Sequence, residues 1–423
     1  MFSIHDPNLA YTAATTIVKI ALQLNPVEIV TPTNVHSEKP NWINAAEQGI
    51  FRNPAFTYDH DRLRAIAMFE PRLSTAKKQL NEAIEPQTTI DVVILDLIND
   101  RIDDAYFNIK LAESILLGDD RAAAYCTDRK YRRPNQAQII DAQILLDPQR
   151  TLSVPPARFP KETRNHLKKL HFDAQGIQSI FQWAILEYGI EGWNVEIDER
   201  ATAIDVRNKT ADGHPVVIIP TDREVTGPKL IELIGHEIEC HLRDSENAAQ
   251  LFYELIGHDS PLAPLVPLLA KPDDEMLYEG HAKISDASIT GRTALPKPYY
   301  TIAQDLAVRG HSFADVANYI YEVRLKLGDS EAAAIKGAWL ACYRAFRGCT
   351  DTKNPHSYTF GKDYAYLAGY NIARSMQFPE WLDFASLSLT DLQRLHSAGV
   401  QLNAPKYPYL DIASTVADEI LAK

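Results

Sequence analysis

Cysteine is scarce in this sequence. Cys126, Cys240, Cys342 and Cys349 are the only four in 423 residues, and no two stand at Cys-x-x-Cys spacing. A chain of this length needs no disulfide staples, so reduced thiols are expected. Positive charge is also short: 43 Lys and Arg against 56 Asp and Glu leave a formal charge of -13. Such a chain repels phosphate backbones and anionic lipid, so neither nucleic acid nor a membrane is expected as a partner. The 18 glycines and 25 prolines follow no period, which removes collagen-like and low-complexity readings. From Met1 to Asn25 there is no basic start followed by an unbroken apolar block, and no stretch reaches the roughly 18 apolar residues of a membrane span. A cytoplasmic protein is the expectation. What remains is an ordinary globular composition, 45% hydrophobic and 23% charged, with length for about two or three structural units.

Hydrophobic periodicity predicts a helix over residues 9–24, ended by Pro26 before the apolar run Val27 to Val30. A loop-like stretch then carries Thr31-Pro32-Thr33-Asn34, Glu38-Lys39-Pro40 and Asn53-Pro54-Ala55-Phe56-Thr57-Tyr58. From Asp61 to about Leu146 the pattern is helical, with Ile90, Val93, Ile94, Leu97 and Ile98 on one face. Pro155-Pro156 and Pro160 mark a joint, which divides the chain into an N-terminal helical region, 1–150, and a catalytic region, 151–423. Beyond the joint, Glu162 to Tyr188 is helical. Trp193 to Ile197, Ala203 to Arg207 and Pro215 to Ile219 then read as a small antiparallel meander. Thr226 and Pro228 open a helix from about Gly227 to Ser245, and Ser285 to Lys423 is mostly helical with no repeat period.

The helix from Gly227 carries His236-Glu237-Ile238-Glu239-Cys240-His241. Two imidazoles, with a carboxylate directly after the first, are what a metal-activated hydrolase requires: two neutral nitrogen ligands and a base beside the water. The spacing is five rather than four. In a regular helix five residues turn by about 500°, leaving the two rings about 140° apart and unable to share an ion at about 2.0 Å. A π-bulge between His236 and His241 repairs this, and one is predicted there. The buried apolar flank Leu230, Leu233, Ile234 and Ile238 makes an unpaired His or Glu costly, so a metal centre or a satisfied hydrogen-bond network must account for them. Glu237 is the expected base. Glu239 and Cys240 are expected to face protein, because a fourth protein ligand would close the position a water needs. The third ligand stays open on the residues alone, among Glu279 at a helix start, Asp273, Asp274, Glu275 and His258.

These residues resemble the zinc metallopeptidases typified by the microtubule-associated tyrosine carboxypeptidases, with bacterial relatives described as flavohaemoglobin expression modulators. The family's His-Glu-x-x-x-His motif is matched by His236, Glu237 and His241, and its Glu-Gly-Leu-Ala motif by Glu279-Gly280-His281-Ala282. Early segments match at Pro32-Thr33-Asn34, Glu38-Lys39 and Asn53, Pro54, Phe56, Tyr58. Later ones match at Arg347-Gly348 and at Lys362-Asp363-Tyr364-Ala365-Tyr366-Leu367-Ala368-Gly369. The matches keep their order over residues 32–369. Three positions depart: His281 replaces leucine, Gly361 replaces threonine, and Cys240 stands where small or hydroxyl residues are usual.

The resemblance implies an α+β, mainly helical, zincin-like metallopeptidase with a small antiparallel sheet before the zinc helix. It implies Zn2+ held by His236, His241 and Glu279, and exopeptidase action on a peptide or protein C-terminus, tyrosine in the tubulin-acting members. An exopeptidase must also grip a free carboxylate, for which Arg347, Lys362 and Tyr366, with Arg344 in reserve, are the expected clamp or transition-state donors. His281 is expected to contact water or substrate, support a ligand from behind, or line the pocket. Pro215 to Ile219 is the candidate edge strand for an extended substrate. An endopeptidase or aminopeptidase on the same centre, or a metal-stabilised regulatory binding protein, are the other readings.

Overall fold

The structure, a computed structural model, describes residues 2–147, 158–199, 201, 203–207, 214–271, 276–290 and 297–422. The proline joint at Pro155-Pro156, the turn 208–213 and the candidate ligands Asp273, Asp274 and Glu275 lie outside those residues.

The chain is 66% helical with small sheets, as a mainly helical α+β reading requires. Its N-terminal part holds α1 (Pro7–Ala21), α2 (Pro26–Val30), α3 (Val35–Ala46), α4 (His60–Ala67), α5 (Glu70–Ala83), α6 (Thr89–Leu117), α7 (Asp120–Tyr131) and α8 (Gln136–Leu145). The two-residue strands β1 (Ser3–Ile4) and β2 (Ile84–Glu85) pair antiparallel beneath them. Local chemistry sets the ends: Asp6 accepts from the Leu9 amide ahead of Pro7, and Thr88 and Asp91 form a reciprocal capping box that opens the 29-residue α6. By length and composition, Pro7–Ala46 is the one stretch among the described residues apolar enough to cross a membrane. Here it is broken into three helices.

Two sequence expectations fail in this region. Pro26 begins a helix instead of only ending one, because Asn25 caps it and proline suits a first helical position. Residues 35–46, read as loop around Pro40, are helical. The helix loses one backbone bond at Pro40 but seats Trp42 fully buried against Phe313 and Trp339, with its indole N–H donating to the Arg52 carbonyl at 2.9 Å.

The second part begins with α9 (Lys161–Leu167), strand β3 (His171–Phe172) and α10 (Ala174–Glu187). Then come β4 (Asn194–Asp198), β5 (Asp205–Arg207), β6 (Val216–Pro220) and β7 (Val225–Thr226), the last pairing antiparallel with β3. The three-stranded sheet has order β4-β6-β5: β4 runs parallel to β6, and β5 antiparallel to it. The expected antiparallel meander is therefore a mixed sheet, and the expected edge strand is its centre. Val216-Val217-Ile218-Ile219 is apolar at every position and buried on both faces, the pattern of a central strand. The edge facing the helix that carries His236 and His241 is β5, which packs against it.

After β7 the chain continues through α11 (Gly227–Leu233), a π-helical segment Ile234–Leu242 and α12 (Arg243–Ile256). Then follow α13 (Val266–Leu269), α14 (Met276–Thr290), α15 (Pro298–Val308), α16 (Phe313–Lys326), α17 (Glu331–Phe346), α18 (Ala365–Arg374), α19 (Leu389–Ser397) and α20 (Ile412–Leu421). Core membership does not divide at residue 150. One apolar core joins α1–α8 to residues 248–402, and a second joins residues 159–242 to Ile289 and α20. The π-helical segment ends where these two cores meet.

Candidate metal centre

Every apolar position from Leu230 to Leu242 is buried, and this fixes the histidine-bearing helix in the second core. The π segment covers nine residues, Ile234–Leu242, and its i→i+5 bonding stacks His241 over His236. The widening that the five-residue spacing demands is thus present, and the two rings lie 4.7 Å apart between centroids.

Helix α14 supplies the opposite wall through two adjacent stripes. Tyr278, His281, Ser285 and Ile289 meet the histidine-bearing helix: Tyr278 stacks on His241 at 3.8 Å, and an added Cβ on Gly235 would fall 2.3 Å from Ile289 and 2.8 Å from Ser285. Glu279, Lys283 and Asp286 form the second stripe, facing the histidines. On its far side α14 crosses α18 closely, since a Cβ on Gly280 would sit 2.2 Å from the carbonyl of Gly369. Only glycine permits that approach.

One oxygen of Glu279 lies 3.8 Å from Nε2 of His236 and 3.9 Å from Nε2 of His241. Ligand atoms of His236, Glu237 and His241 fall within 4.8 Å of one another. Ligands of a tetrahedral zinc at about 2.0–2.1 Å lie roughly 3.3 Å apart, so a small contraction would close this set on an ion. The donor chemistry fits as well. Burial and neighbouring His236 hold His241 well below the usual imidazole pKa, which leaves it neutral with a lone pair to give. Burial opposes charge on His236, but Asp286 and Glu237 outweigh it and raise its pKa, so the pocket favours a positive charge at this point. Both oxygens of Asp286 lie 3.2 Å from His236 Nδ1, which turns Nε2 toward Glu279. Burial pushes the Glu237 carboxyl up to about 7, with Glu279 adding to the rise and His236 opposing it.

Of the expected clamp, the structure brings only part to this centre. Tyr366, at the start of α18, has its ring 5.6 Å from Lys283 Nζ, which itself lies 2.5 Å from Asp286. Tyr300 links Tyr366 to Arg344, whose guanidinium lies 5.2 Å above the Tyr300 ring while pairing with Asp363. Arg347 is buried, bonded to Asp363 at 3.0 Å and held 4.5 Å over Phe360. It is an internal brace and not a surface for substrate. Lys362 is half-buried in the short turn Gly361–Tyr364, beside Asp363. His281 is not open to substrate either: its Nδ1 meets Asp244 at 2.7 Å, and its ring lies beside the buried Cys240. Glu239 and Cys240 face protein as expected, Glu239 accepting from the Ala413 amide at 2.7 Å.

Sequence reasoning missed Lys283, Asp286, Tyr278 and Asp244. Lys283 and Asp286 were legible, standing four and seven residues after Glu279 and so on its helical face. Comparisons of the chain with family models, with curated proteins and with solved structures find no match.

Proposed function

We propose that this protein is a zinc-dependent peptidase with a zincin-like catalytic region, and that it releases a residue from the C-terminus of a peptide or protein. The observation that carries the reading is the convergence of His236, His241 and Glu279 across a π-helical turn, with Glu237 buried at their side. A hydrogen-bond network alone accounts for it poorly, because the Glu279 oxygen stands 3.8 and 3.9 Å from the two Nε2 atoms, beyond direct hydrogen-bond reach.

When bound, zinc would supply Lewis acidity toward a peptide carbonyl and toward water. Glu237, with a pKa lifted to about 7, accepts a proton from the attacking water and delivers it to the leaving amine, both near neutral pH. Asp286 keeps the His236 ring oriented throughout. An extended substrate can add to the outer edge of β5, which packs on the metal helix and has no strand beyond it among the described residues, so main-chain bonds would hold it without regard to sequence. The carboxypeptidase reading is supported by Lys283, Tyr366 and Arg344, two cations and a hydroxyl on the α14 and α17–α18 side of the centre. These are the groups that grip a free carboxylate.

The test is a peptide library offered with free and with amidated C-termini. Release of terminal amino acids from the free set alone, abolished by Glu237→Gln with zinc retained, supports the proposal. Equal cleavage of amidated peptides would replace it with an endopeptidase, and release from the N-terminus with an aminopeptidase.

A further inference from the structure

Two of the departures from the resembled motifs touch each other in the fold. Cys240 lies in the π segment between the metal-facing histidines, and His281 lies on α14 two residues after Glu279. The Cys240 thiol lies beside the His281 ring, and His281 Nδ1 reaches Asp244 at 2.7 Å. Asp244 is fully buried in the first turn of α12, where its other oxygen meets Arg243 at 3.0 Å. Arg243 is buried in turn and pairs with Asp383 at 3.0 Å. One imidazole thus ties the helix that carries Glu279 to the first turn after the π segment.

A thiol, an imidazole and a carboxylate in series have the composition of a nucleophilic triad. Cys240 is only 1% exposed, however, so its sulfur is shut off from any substrate. The series is instead a tie. Apart from it, α14 is held against the metal helix by the Tyr278–His241 stack, by contacts of Ser285 and Ile289 with Gly235, by the Tyr278 hydroxyl donating to the His241 carbonyl at 3.4 Å and by Asp286 at 3.2 Å from His236. The bond of His281 to Asp244, at 2.7 Å, is the shortest of these polar contacts and the one beyond the histidine pair, so it fixes register at the far end of the π turn.

We infer that His281 is a positioning residue for the metal centre: through Asp244 it fixes the register of α14 against the π turn, and so the place of Glu279 relative to His236 and His241. This rests on the metal reading above and assigns His281 no contact with substrate. Removing a partner that orients a ligand typically weakens a metal site by about 10–100-fold.

The experiment measures zinc dissociation constants by competition with a chromogenic chelator, on the full chain, for wild type, His281→Leu, His281→Asn and Cys240→Ala. Cobalt-substituted spectra and apo-protein melting curves accompany them. His281→Leu should weaken zinc about 10–100-fold and change the cobalt ligand-field bands. His281→Asn keeps a donor where Nδ1 stood and should recover most of that affinity. Cys240→Ala should cost less than His281→Leu, and the double variant should be no weaker than His281→Leu alone. In peptide hydrolysis the loss should fall on kcat, with KM within about twofold of wild type. If His281→Leu does not fold, Cys240→Ala and His281→Asn carry the same comparison. Wild-type zinc affinity in His281→Leu with a lowered melting temperature would make the tie a packing feature and overturn the inference alone. A rise in KM at unchanged zinc affinity would make His281 a substrate contact and also overturn it. A wild-type chain that holds no zinc overturns both this inference and the proposed function.

Discussion

Both carboxylate oxygens of Asp286 lie 3.2 Å from Nδ1 of His236, and Lys283 holds the same carboxylate at 2.5 Å. Burial opposes the charge on Asp286, yet His236 and Lys283 outweigh it and keep its pKa below the usual carboxylate range. The ring of His236 is therefore oriented by a permanent anion one helix away. Asp286→Ala should raise the zinc dissociation constant about 10–100-fold, read by chelator competition. Unchanged affinity would mean that the π turn orients the ring without help.

The close crossing of α14 and α18 gives a prediction about stability. A methyl on Gly280 would lie 2.2 Å from the Gly369 carbonyl, and one on Gly369 would lie 1.7 Å from the Met276 carbonyl oxygen. Backbone on both sides cannot yield as a flexible side chain can. Gly280→Ala and Gly369→Ala should each lose about 1–3 kcal/mol or more, measured from denaturant midpoints. Since Glu279 adjoins Gly280, zinc affinity should fall with them. Wild-type stability in both variants would show that the two helices part easily.

The π turn was legible because chemistry and geometry disagreed there. Two histidines five apart cannot share an ion on an α-helix, and the structure resolves the conflict with the π segment Ile234–Leu242. The sheet was misread because neighbouring strands were assumed to pair in chain order. The all-buried run at Val216 to Ile219 was evidence of a central strand, whatever its neighbours. Helix α3 was missed because Pro40 speaks against a helix locally, while the seat for Trp42 lies on α16 and α17, far along the chain. Arg347 was misplaced for a related reason. Residue type marks a cation, but only the fold shows that Asp363 has already taken it.

Arg347 and Lys283 should therefore separate in experiment. Arg347 is nearly buried and paired with a fully buried carboxylate, so Arg347→Ala should lose about 3 kcal/mol or more of stability with little change in KM. Lys283→Ala, removing a half-buried cation beside Tyr366, should raise KM for a peptide with a free C-terminus by about 10–100-fold. Melting curves and steady-state kinetics on both variants check this pair. The reverse pattern would restore Arg347 to the substrate.

Glu239 anchors the back of the metal helix to the first turn of α20 through the Ala413 amide at 2.7 Å, with Arg158 and Tyr409 also within reach. Glu239→Ala leaves a buried N–H without its acceptor and should cost about 1–3 kcal/mol. Hydrogen exchange should show the loss first at Ala413 and its neighbours. An unchanged exchange rate there would mean that α20 is held by its apolar face alone.

The whole account stands on three side chains sharing one ion, and elemental analysis of the purified full chain tests this most directly. Wild type should carry close to one zinc per molecule, with His236→Ala and Glu279→Ala each folded and largely metal-free. A metal-free wild type after growth and purification with zinc, or variants that keep zinc at the wild-type level, would contradict it.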